Sequence, residues 1–234
     1  MTGNGGVCWA EQTVPSGIAA LLIATVSLWL VIVEWARPGG TRPGPRVVAG
    51  LLMGFAGMVL LVGPARLGGS ERVNLAGAGV LVFASFCWAC GSIYSKHGSL
   101  PASPFLGVAM QSLVGGAALW VFGLLIGEGR ALHPSAISQR SMVALGYLIV
   151  FGSGIGFTVY LYMLKNSTPS RIGTYAFVNP VVALFLGWVI AGEAVTLRTW
   201  LASAVILTAV LLVITAPHAG QTPAEEVIPA PGEA

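Results

Sequence analysis

The polar side chains best placed to do chemistry in this sequence lie inside long apolar runs. Asn179 precedes Pro180 near the middle of the apolar run 170–191. Tyr175 lies about one helical turn before Asn179. Proline lacks a backbone N–H and displaces the carbonyl of Ala176, so an acceptor is freed beside the Asn179 amide. Because hydrocarbon offers no hydrogen bonds, this pair is a candidate site for a small polar solute. In the alternative interpretation, Pro180 only kinks the helix and Asn179 binds a neighbouring backbone.

A second polar face is predicted in the apolar run 74–96. Trp88, Ser92 and Lys96 follow one another at intervals of four residues, so a helix places an indole, a hydroxyl and an ammonium on one side. Such a face fits the wall of a solute cavity. The alternative for Lys96 is a position at the end of the span, from which the ammonium reaches the membrane surface.

Further candidate binding residues lie in the next two apolar runs, although most polar residues in bundles only join helices. They are Gln111, Ser112, Ser153, Thr158, Tyr160 and Tyr162.

Several other classes of chemistry are excluded because the residues they require are absent or lie far apart in the sequence. The chain has no Asp, no Gly-x-x-x-x-Gly-Lys loop and three separated histidines, which excludes P-loop nucleotide binding, Asp-dependent triads and EF-hands. Cys87 and Cys90 have the spacing of a redox or metal motif, but zinc needs two further ligands. The pair is interpreted as small apolar packing residues. We therefore predict no metal, no cofactor and no enzymatic activity.

The elements that position these residues are predicted to be membrane-spanning helices. Of the 234 residues 56% are hydrophobic and 8% are charged, whereas soluble domains carry roughly 25% charged residues. A net charge of +3 without a basic stripe excludes nucleic acid as a partner. A span needs about 20 apolar residues. The sequence predicts seven spans, at 16–36, 46–63, 74–96, 104–127, 141–165, 170–191 and 197–216. The predicted fold class is all-α, a polytopic transmembrane helical bundle in contact with the lipid bilayer.

The orientation of the bundle is predicted from Lys and Arg in alternate loops. One side collects Arg37, Arg42, Arg46, Lys96, Lys165 and Arg171. The compact arginine-rich loop 37–46 favours this side as the cytoplasmic one, with the N-terminus outside and the C-terminus inside. Residues 217–234 are rich in Pro, Ala and Glu and are predicted to form a disordered cytoplasmic tail. Glu34 is predicted to form a surface-reaching ion pair with Arg37.

Two apolar runs begin alike. Thr13-Val-Pro-Ser-Gly-Ile18 opens the first run and Ser167-Thr-Pro-Ser-Arg-Ile172 opens the sixth. An odd number of intervening spans makes the two copies antiparallel, so residues 16–64 and 170–216 are predicted to form a partial inverted repeat. Inverted repeats are the architecture of many secondary transporters.

Two groups of glycines predict how particular helices pack and how regular they are. Gly50, Gly54 and Gly57 allow a close approach of helices. Gly152 and its neighbours Gly154 and Gly156 predict a loosened fifth span, because each Gly costs a helix about 1 kcal/mol relative to Ala.

Three segments resemble the EamA domain of the drug/metabolite transporter superfamily. They are Cys87-Trp-Ala-Cys-Gly-Ser-Ile-Tyr-Ser-Lys96, Pro169-Ser-Arg-Ile-Gly-Thr-Tyr-Ala-Phe-Val-Asn-Pro-Val-Val-Ala183 and Ala191-Gly-Glu193. By this resemblance, residues 74–216 form one complete five-helix repeat. Residues 7–64 resemble the end of a preceding repeat, with about three of the family's usual ten helices absent. The resemblance implies a permease of the plasma membrane, and many such proteins export amino acids or metabolites.

The resemblance also implies a role for Glu11, which lies in the family-like string Trp9-Ala-Glu-Gln-Thr-Val-Pro-Ser16. In a complete family member this carboxylate would lie in the helical interior and could bind a proton that is exchanged for substrate. The alternative is an exposed, frayed end of the chain.

Two functions remain open from the sequence. The first is a secondary transporter that moves a small organic solute, driven by its gradient or by protons. The second is a truncated, non-transporting membrane subunit that pairs with another copy or with a partner half.

Overall fold

A computed structural model describes residues 2–63, 74–98, 103–130, 137–191 and 196–217. Most of these residues are helical, and none of them lies in a strand. The helices are α1 (Thr2–Ala10), α2 (Ser16–Ile23), α3 (Val26–Ala36), α4 (Pro45–Val62), α5 (Leu75–His97), α6 (Pro104–Leu125), α7 (Gln139–Tyr147), α8 (Phe157–Asn166), α9 (Pro169–Gly173), α10 (Tyr175–Ala191) and α11 (Leu197–Ile214). A π-helical stretch, Leu148–Gly156, joins α7 to α8, and a 3-10 turn follows α6 at Glu128–Arg130. The predicted disordered tail beyond Pro217 and the loop residue Glu193 lie outside the described residues.

Six helical stretches among the described residues are long and apolar enough to cross a bilayer. They are Ile18–Ala36, Pro45–Val62, Leu75–His97, Phe105–Leu125, Gln139–Asn166 and Leu197–Ile214. These stretches coincide with six of the seven predicted spans and confirm the all-α membrane fold. The remaining predicted span, 170–191, consists of two helices, α9 and α10, that meet at Thr174.

Two helix breaks lie against each other in the interior. The first separates α2 from α3 at Thr25, whose hydroxyl donates a hydrogen bond to the carbonyl of Leu22 at 2.5 Å. The second separates α9 from α10 at Thr174, whose hydroxyl donates to the carbonyl of Arg171 at 2.7 Å. Threonine hydroxyls that bind nearby backbone carbonyls compete with regular helix hydrogen bonds, which gives both breaks a local cause.

The breaks are joined by one buried hydrogen bond. Ser27 Oγ donates to the carbonyl oxygen of Gly173 at 2.6 Å. A Cβ placed on Gly173 would lie 3.2 Å from Ser27 Cα, so the two backbones approach closely only because residue 173 is glycine. The superposition of 16–64 on 170–216 as an inverted repeat stays a prediction.

The predicted glycine face of α4 packs tightly against α11 and α10. A Cβ placed on Gly50 would lie 2.6 Å from Val213 Cγ2, and one placed on Gly57 would lie 2.7 Å from Ile206 Cγ1. A Cβ placed on Gly54 would lie 3.0 Å from the buried ring of Phe177. The predicted close approach at these glycines is confirmed, and α4 with α11 forms the most extensive helix pair of the described residues.

The fifth apolar run departs from a regular helix at its glycines. Gly152, Gly154 and Gly156 all lie within the π-helical stretch Leu148–Gly156. The three glycines thus lie where the hydrogen-bond pattern departs from the regular i→i−4 one, in keeping with the low helix propensity of glycine. The loosening of this span stays a prediction. Neither α7 nor the π-helical stretch buries a residue against the described part of the chain.

One end of the bundle gathers the cations that the sequence assigns to the cytoplasmic side. The carboxylate of Glu34 lies 3.6 Å from Arg37 Nη2 and 2.9 Å from His97 Nε2. The predicted pair with Arg37 is therefore present, and it reaches the surface through Arg37, whose side chain is 35% exposed. Glu34 is only 7% exposed, because α3 packs against α5 and brings His97 to it.

The Lys96 ammonium binds backbone carbonyls, which differs from the alternative of an ammonium that reaches the membrane surface. Its Nζ donates hydrogen bonds to the carbonyl of Leu164 at 2.7 Å and to that of Ser167 at 2.6 Å. A helix leaves its last carbonyls without partners, and a cation there also interacts favourably with the helix dipole. Lys96 thus fastens the end of α8 to α5.

Candidate functional site

Polar side chains of α5 and α8 meet between the two helices. The hydroxyl of Tyr160 lies 2.7 Å from Ser92 Oγ, and either oxygen can be the donor. The indole N–H of Trp88 donates to the same Tyr160 hydroxyl at 3.3 Å. The predicted shared face of Trp88 and Ser92 is therefore present, and Tyr160 is the residue of α8 that faces it.

Aromatic rings enclose this polar contact. The ring of Tyr175 stands edge-on to that of Tyr160, with centroids 5.6 Å apart. Phe157 lies 5.9 Å from Trp88 and 6.1 Å from Tyr160 between ring centroids. We call these five residues, Trp88, Ser92, Phe157, Tyr160 and Tyr175, the Tyr160 cluster. Ser92 is 6% exposed and the four aromatic residues are half-buried, so the cluster lies inside the bundle.

The Tyr160 cluster has the chemistry of a site for an uncharged or cationic group. It offers hydroxyls that donate or accept and one indole donor, and its ring faces attract apolar groups and cations. It contains no carboxylate or ammonium. Lys96 lies one turn beyond Ser92, but its ammonium is engaged by the carbonyls at the end of α8.

Gln111 is placed near this cluster by α6. Val108, one turn earlier on the same helix, is buried against Leu161 and Leu164, and the rings of Tyr160 and its neighbours pack against that apolar group. The Nε2 atom of Gln111 is buried and has no hydrogen-bond partner within the described residues. An unpaired buried donor costs about 1–3 kcal/mol, so a polar ligand is a chemically suitable partner for it.

Asn179 and Pro180 lie away from the cluster although they share α10 with Tyr175. The Asn179 side chain is exposed and makes no hydrogen bond within the described residues, and Pro180 is half-buried inside the helix. The structure therefore brings Tyr175 to the other candidates, whereas Asn179, one turn further along the same helix face, is exposed.

Glu11 is also exposed, in the turn that follows α1. The segment before it is not frayed: α1 is a helix that packs against α5, and a Cβ placed on Gly3 would lie 3.4 Å from the Trp88 ring. The alternative of a frayed end is wrong for Thr2–Ala10. Proton coupling by Glu11 stays a prediction.

Phe157 is the cluster residue that the sequence does not single out. The available signal is its spacing from Tyr160, three residues later on one helix face. Nothing in the apolar run itself distinguishes Phe157 from the other aromatic residues there. The free, half-buried Cys87 and Cys90 lie on the same helix as Trp88 and take no part in the cluster.

The chain is similar in sequence to known membrane transporters. Residues 75–215 match the EamA-like transporter family. The chain is 38% identical over 212 residues to "Uncharacterized inner membrane transporter YedA" of Escherichia coli (strain K12), which covers 90% of this chain and 66% of that protein. It is 24% identical over 207 residues to a "Probable amino-acid metabolite efflux pump" of the same organism, covering 86% of this chain and 68% of that protein.

A solved structure shares the fold. It is described as "Crystal structure of protein" and superposes with a TM-score of 0.73 at 25% identity, covering 88% of this chain and 70% of that one. The chain spans 66% of the length of YedA. The resemblance of its three segments to the EamA domain is confirmed by the family match, which takes in more than half of the chain. The chain is a multi-pass membrane protein and belongs to the EamA-like transporter family.

Proposed function

We propose that the chain acts as a secondary transporter, a permease or exporter, for a small organic solute such as an amino acid or metabolite. Its family membership supports transport as the activity. The names of its relatives, an inner membrane transporter and an amino-acid metabolite efflux pump, support the solute class and a location in the plasma membrane. The proposed orientation has the N-terminus outside and the C-terminus in the cytoplasm.

The observation that carries the proposal is the bond between Ser92 and Tyr160 inside the membrane-spanning part of the fold. Polar groups in spans are costly and are found mostly where a bundle handles a solute or joins two helices. Here the hydroxyls join α5 to α8, and α8 follows directly on the π-helical stretch. A solute that forms hydrogen bonds can exchange with this contact as the helices move.

The chemistry of the Tyr160 cluster supports an amphipathic solute. The ring faces of Trp88 and Tyr175 suit an apolar side chain or a cation, whereas Ser92 and Tyr160 suit a hydrogen-bonding head group. The unpaired Nε2 of Gln111 adds a donor on the α6 side. Amino acids and many metabolites have this division between a polar and an apolar part.

Three other candidate residues rank below the Tyr160 cluster: Asn179, Pro180 and Glu11. Asn179 and Pro180 stay predicted binding residues, and Glu11 stays the predicted proton-coupling residue. Asn179 and Glu11 are exposed in the described arrangement, so the Tyr160 cluster is the first site to test. Pairing with a second copy or a partner half also stays a prediction.

Transport by matched variants tests the site. A growth-rescue screen of an export-deficient strain with amino acids and toxic metabolites identifies a solute, and uptake into vesicles then compares Tyr160→Phe with wild type. Removal of one neutral hydrogen bond of about 0.5–1.5 kcal/mol predicts a two- to tenfold weaker apparent affinity. Tyr162→Phe is the control, because Tyr162 lies on the same helix and is exposed.

Two results would count against this proposal. If Tyr160→Phe and Tyr162→Phe transport alike at equal protein level, the cluster is not the binding site. If the wild-type chain moves none of the solutes in purified vesicles, the chain is not a transporter by itself.

A further inference from the structure

A pocket of about 100 Å³ opens at the cation-rich end of the bundle, where the ends of α3, α4, α9 and α11 come together. Arg42 and Arg171 contribute the positive side chains of its wall, and Thr168 and Ser170 contribute hydroxyls. Val31 and Val213 are among the residues of its apolar wall. The pocket therefore combines guanidinium and hydroxyl groups with an apolar surface, and it is separate from the Tyr160 cluster.

The two arginines differ in how they are held. Arg171 Nη2 donates to the carbonyl of Ala216 at 3.2 Å, which keeps its guanidinium at the pocket wall. Arg42 is exposed in the extended segment before α4. The pocket thus has one guanidinium held by a hydrogen bond and one that is exposed to solvent.

The one acidic residue among the described lining residues is already engaged. Glu34 lines the pocket, but its oxygens lie 2.9 Å from His97 Nε2 and 3.6 Å from Arg37 Nη2. These partners offset its negative charge. Arg42 makes no ion pair among the described residues, so the charge balance of the described lining residues is positive without any contribution from Arg171.

The start of α4 adds to this balance. Gly44 occupies the N-cap position of this 18-residue helix without a side-chain cap, and both Gly44 and Val47 line the pocket. The first N–H groups of a helix and its dipole favour anions. Their contribution is added to that of the arginines and does not replace it.

We propose that this pocket binds a phosphate group, either from the headgroup of an anionic phospholipid or from free phosphate. Arginine forks match phosphate oxygens geometrically. Basic pockets between transmembrane helices at the cytoplasmic surface are suited to anionic headgroups. The bound phosphate holds the 37–46 segment against α9, and a ligand that binds the folded form stabilises it.

Binding to the purified chain in neutral detergent tests the proposal. The probes are short-chain phosphatidylglycerol, an uncharged diacylglycerol with the same chains, and inorganic phosphate. Native mass spectrometry measures binding and thermal unfolding measures stabilisation. Phosphatidylglycerol is expected to bind and to raise the unfolding temperature, whereas diacylglycerol is not.

Two single-arginine variants distinguish binding in the pocket from attraction by the general positive charge at this end of the bundle. Arg42→Ala removes an exposed lining arginine and is expected to weaken phosphatidylglycerol binding about tenfold, because charge-assisted bonds are stronger than neutral ones. Arg46→Ala is the matched control: it removes an exposed arginine at the same end that does not line the pocket. Its effect is expected to stay within roughly twofold, since surface charge pairs contribute little.

Each outcome has a meaning. Binding of inorganic phosphate with the same dependence on Arg42, without binding of phosphatidylglycerol, supports the pocket and identifies free phosphate as the source. Equal losses in Arg42→Ala and Arg46→Ala overturn the proposal. Equal binding of diacylglycerol and phosphatidylglycerol, or no binding of any probe, also overturns it.

Discussion

Gly57→Ala is a sensitive test of how the two most closely paired helices are packed. A Cβ at this position would lie 2.7 Å from Ile206 Cγ1 and 3.3 Å from the Ile206 backbone nitrogen, so either α4 or α11 must shift. Overpacking of this kind costs about 1–3 kcal/mol. Alanine in place of glycine inside a helix stabilises that helix by about 1 kcal/mol. The net expectation is a loss of roughly 0–2 kcal/mol.

Gly91→Ala is the matched control for this substitution. Gly91 lies inside α5 and a Cβ there meets nothing within 4 Å among the described residues. The gain in helix propensity is common to both variants, so the difference between them isolates the overpacking cost of about 1–3 kcal/mol. Reversible unfolding in mixed micelles measures both.

A second substitution checks the assignment to Ile206. Ile206→Ala removes the side chain that the new methyl group meets, so the double variant with Gly57→Ala is expected to lose less than the sum of the single losses. Gly57→Ala with the stability of Gly91→Ala would show that α4 and α11 are not in the described contact.

Three further predictions address the ends and the interior of the bundle. Lys96→Met is expected to lower the free energy of unfolding by about 1–3 kcal/mol in the same assay, because it removes two charge-assisted hydrogen bonds to carbonyls at the end of α8. A stability equal to that of wild type would show that these bonds do not hold α8 to α5. The double substitution Cys87→Ala with Cys90→Ala is expected to leave transport and protein level nearly unchanged, and a large loss of transport at normal level would contradict their packing role. With the exposed Cys8 also replaced by Ala, Thr41→Cys is expected to react with a membrane-impermeant thiol reagent from the cytoplasmic side and Ser135→Cys from the outside. Labelling of Thr41→Cys from the outside, or of both from one side, would refute the predicted topology.

The polar cluster could be predicted from the sequence only in part. The spacing of Trp88 and Ser92 places them on one helix face whatever surrounds it. The choice of Tyr160 among the polar residues of its run depends on which face α8 turns towards α5, and that is decided by long-range packing. Tyr162, two residues away, is exposed for the same reason.

Asn179 shows what a local rule leaves undecided. The proline beside it does lie inside a helix. Successive helical residues are rotated by about 100°, so Asn179 is roughly 200° from Phe177. Phe177 is fully buried against the core that includes α4, and this packing turns the face shared by Tyr175 and Asn179 away from that core. Tyr175 meets Tyr160 on this face, whereas Asn179 lies one turn further along the helix and is exposed. The orientation of α10 is therefore set by its largest apolar anchor and not by its polar residue.

The burial of Glu34 is also decided by long-range helix packing. Its partner Arg37 is readable from the sequence, because the two residues are three apart on one helix. His97 lies 63 residues away and meets Glu34 only because α3 packs against α5. A carboxylate at the end of an apolar helix is expected at the surface, and only the tertiary contact explains its burial.

The described helices divide into a tightly packed part and a loosely packed part, and the Tyr160 cluster lies at their boundary. The glycine contacts between α4 and α11 leave no room for a methyl group, and the buried bond from Ser27 to Gly173 joins the two helix breaks. In contrast, α7 and the π-helical stretch bury nothing among the described residues. Closely packed interfaces change in discrete steps, whereas sparsely packed elements move at low cost. We therefore expect alternating access to move α8 against α5, which breaks and re-forms the contact of Tyr160 with Ser92 and couples solute binding to the helix motion.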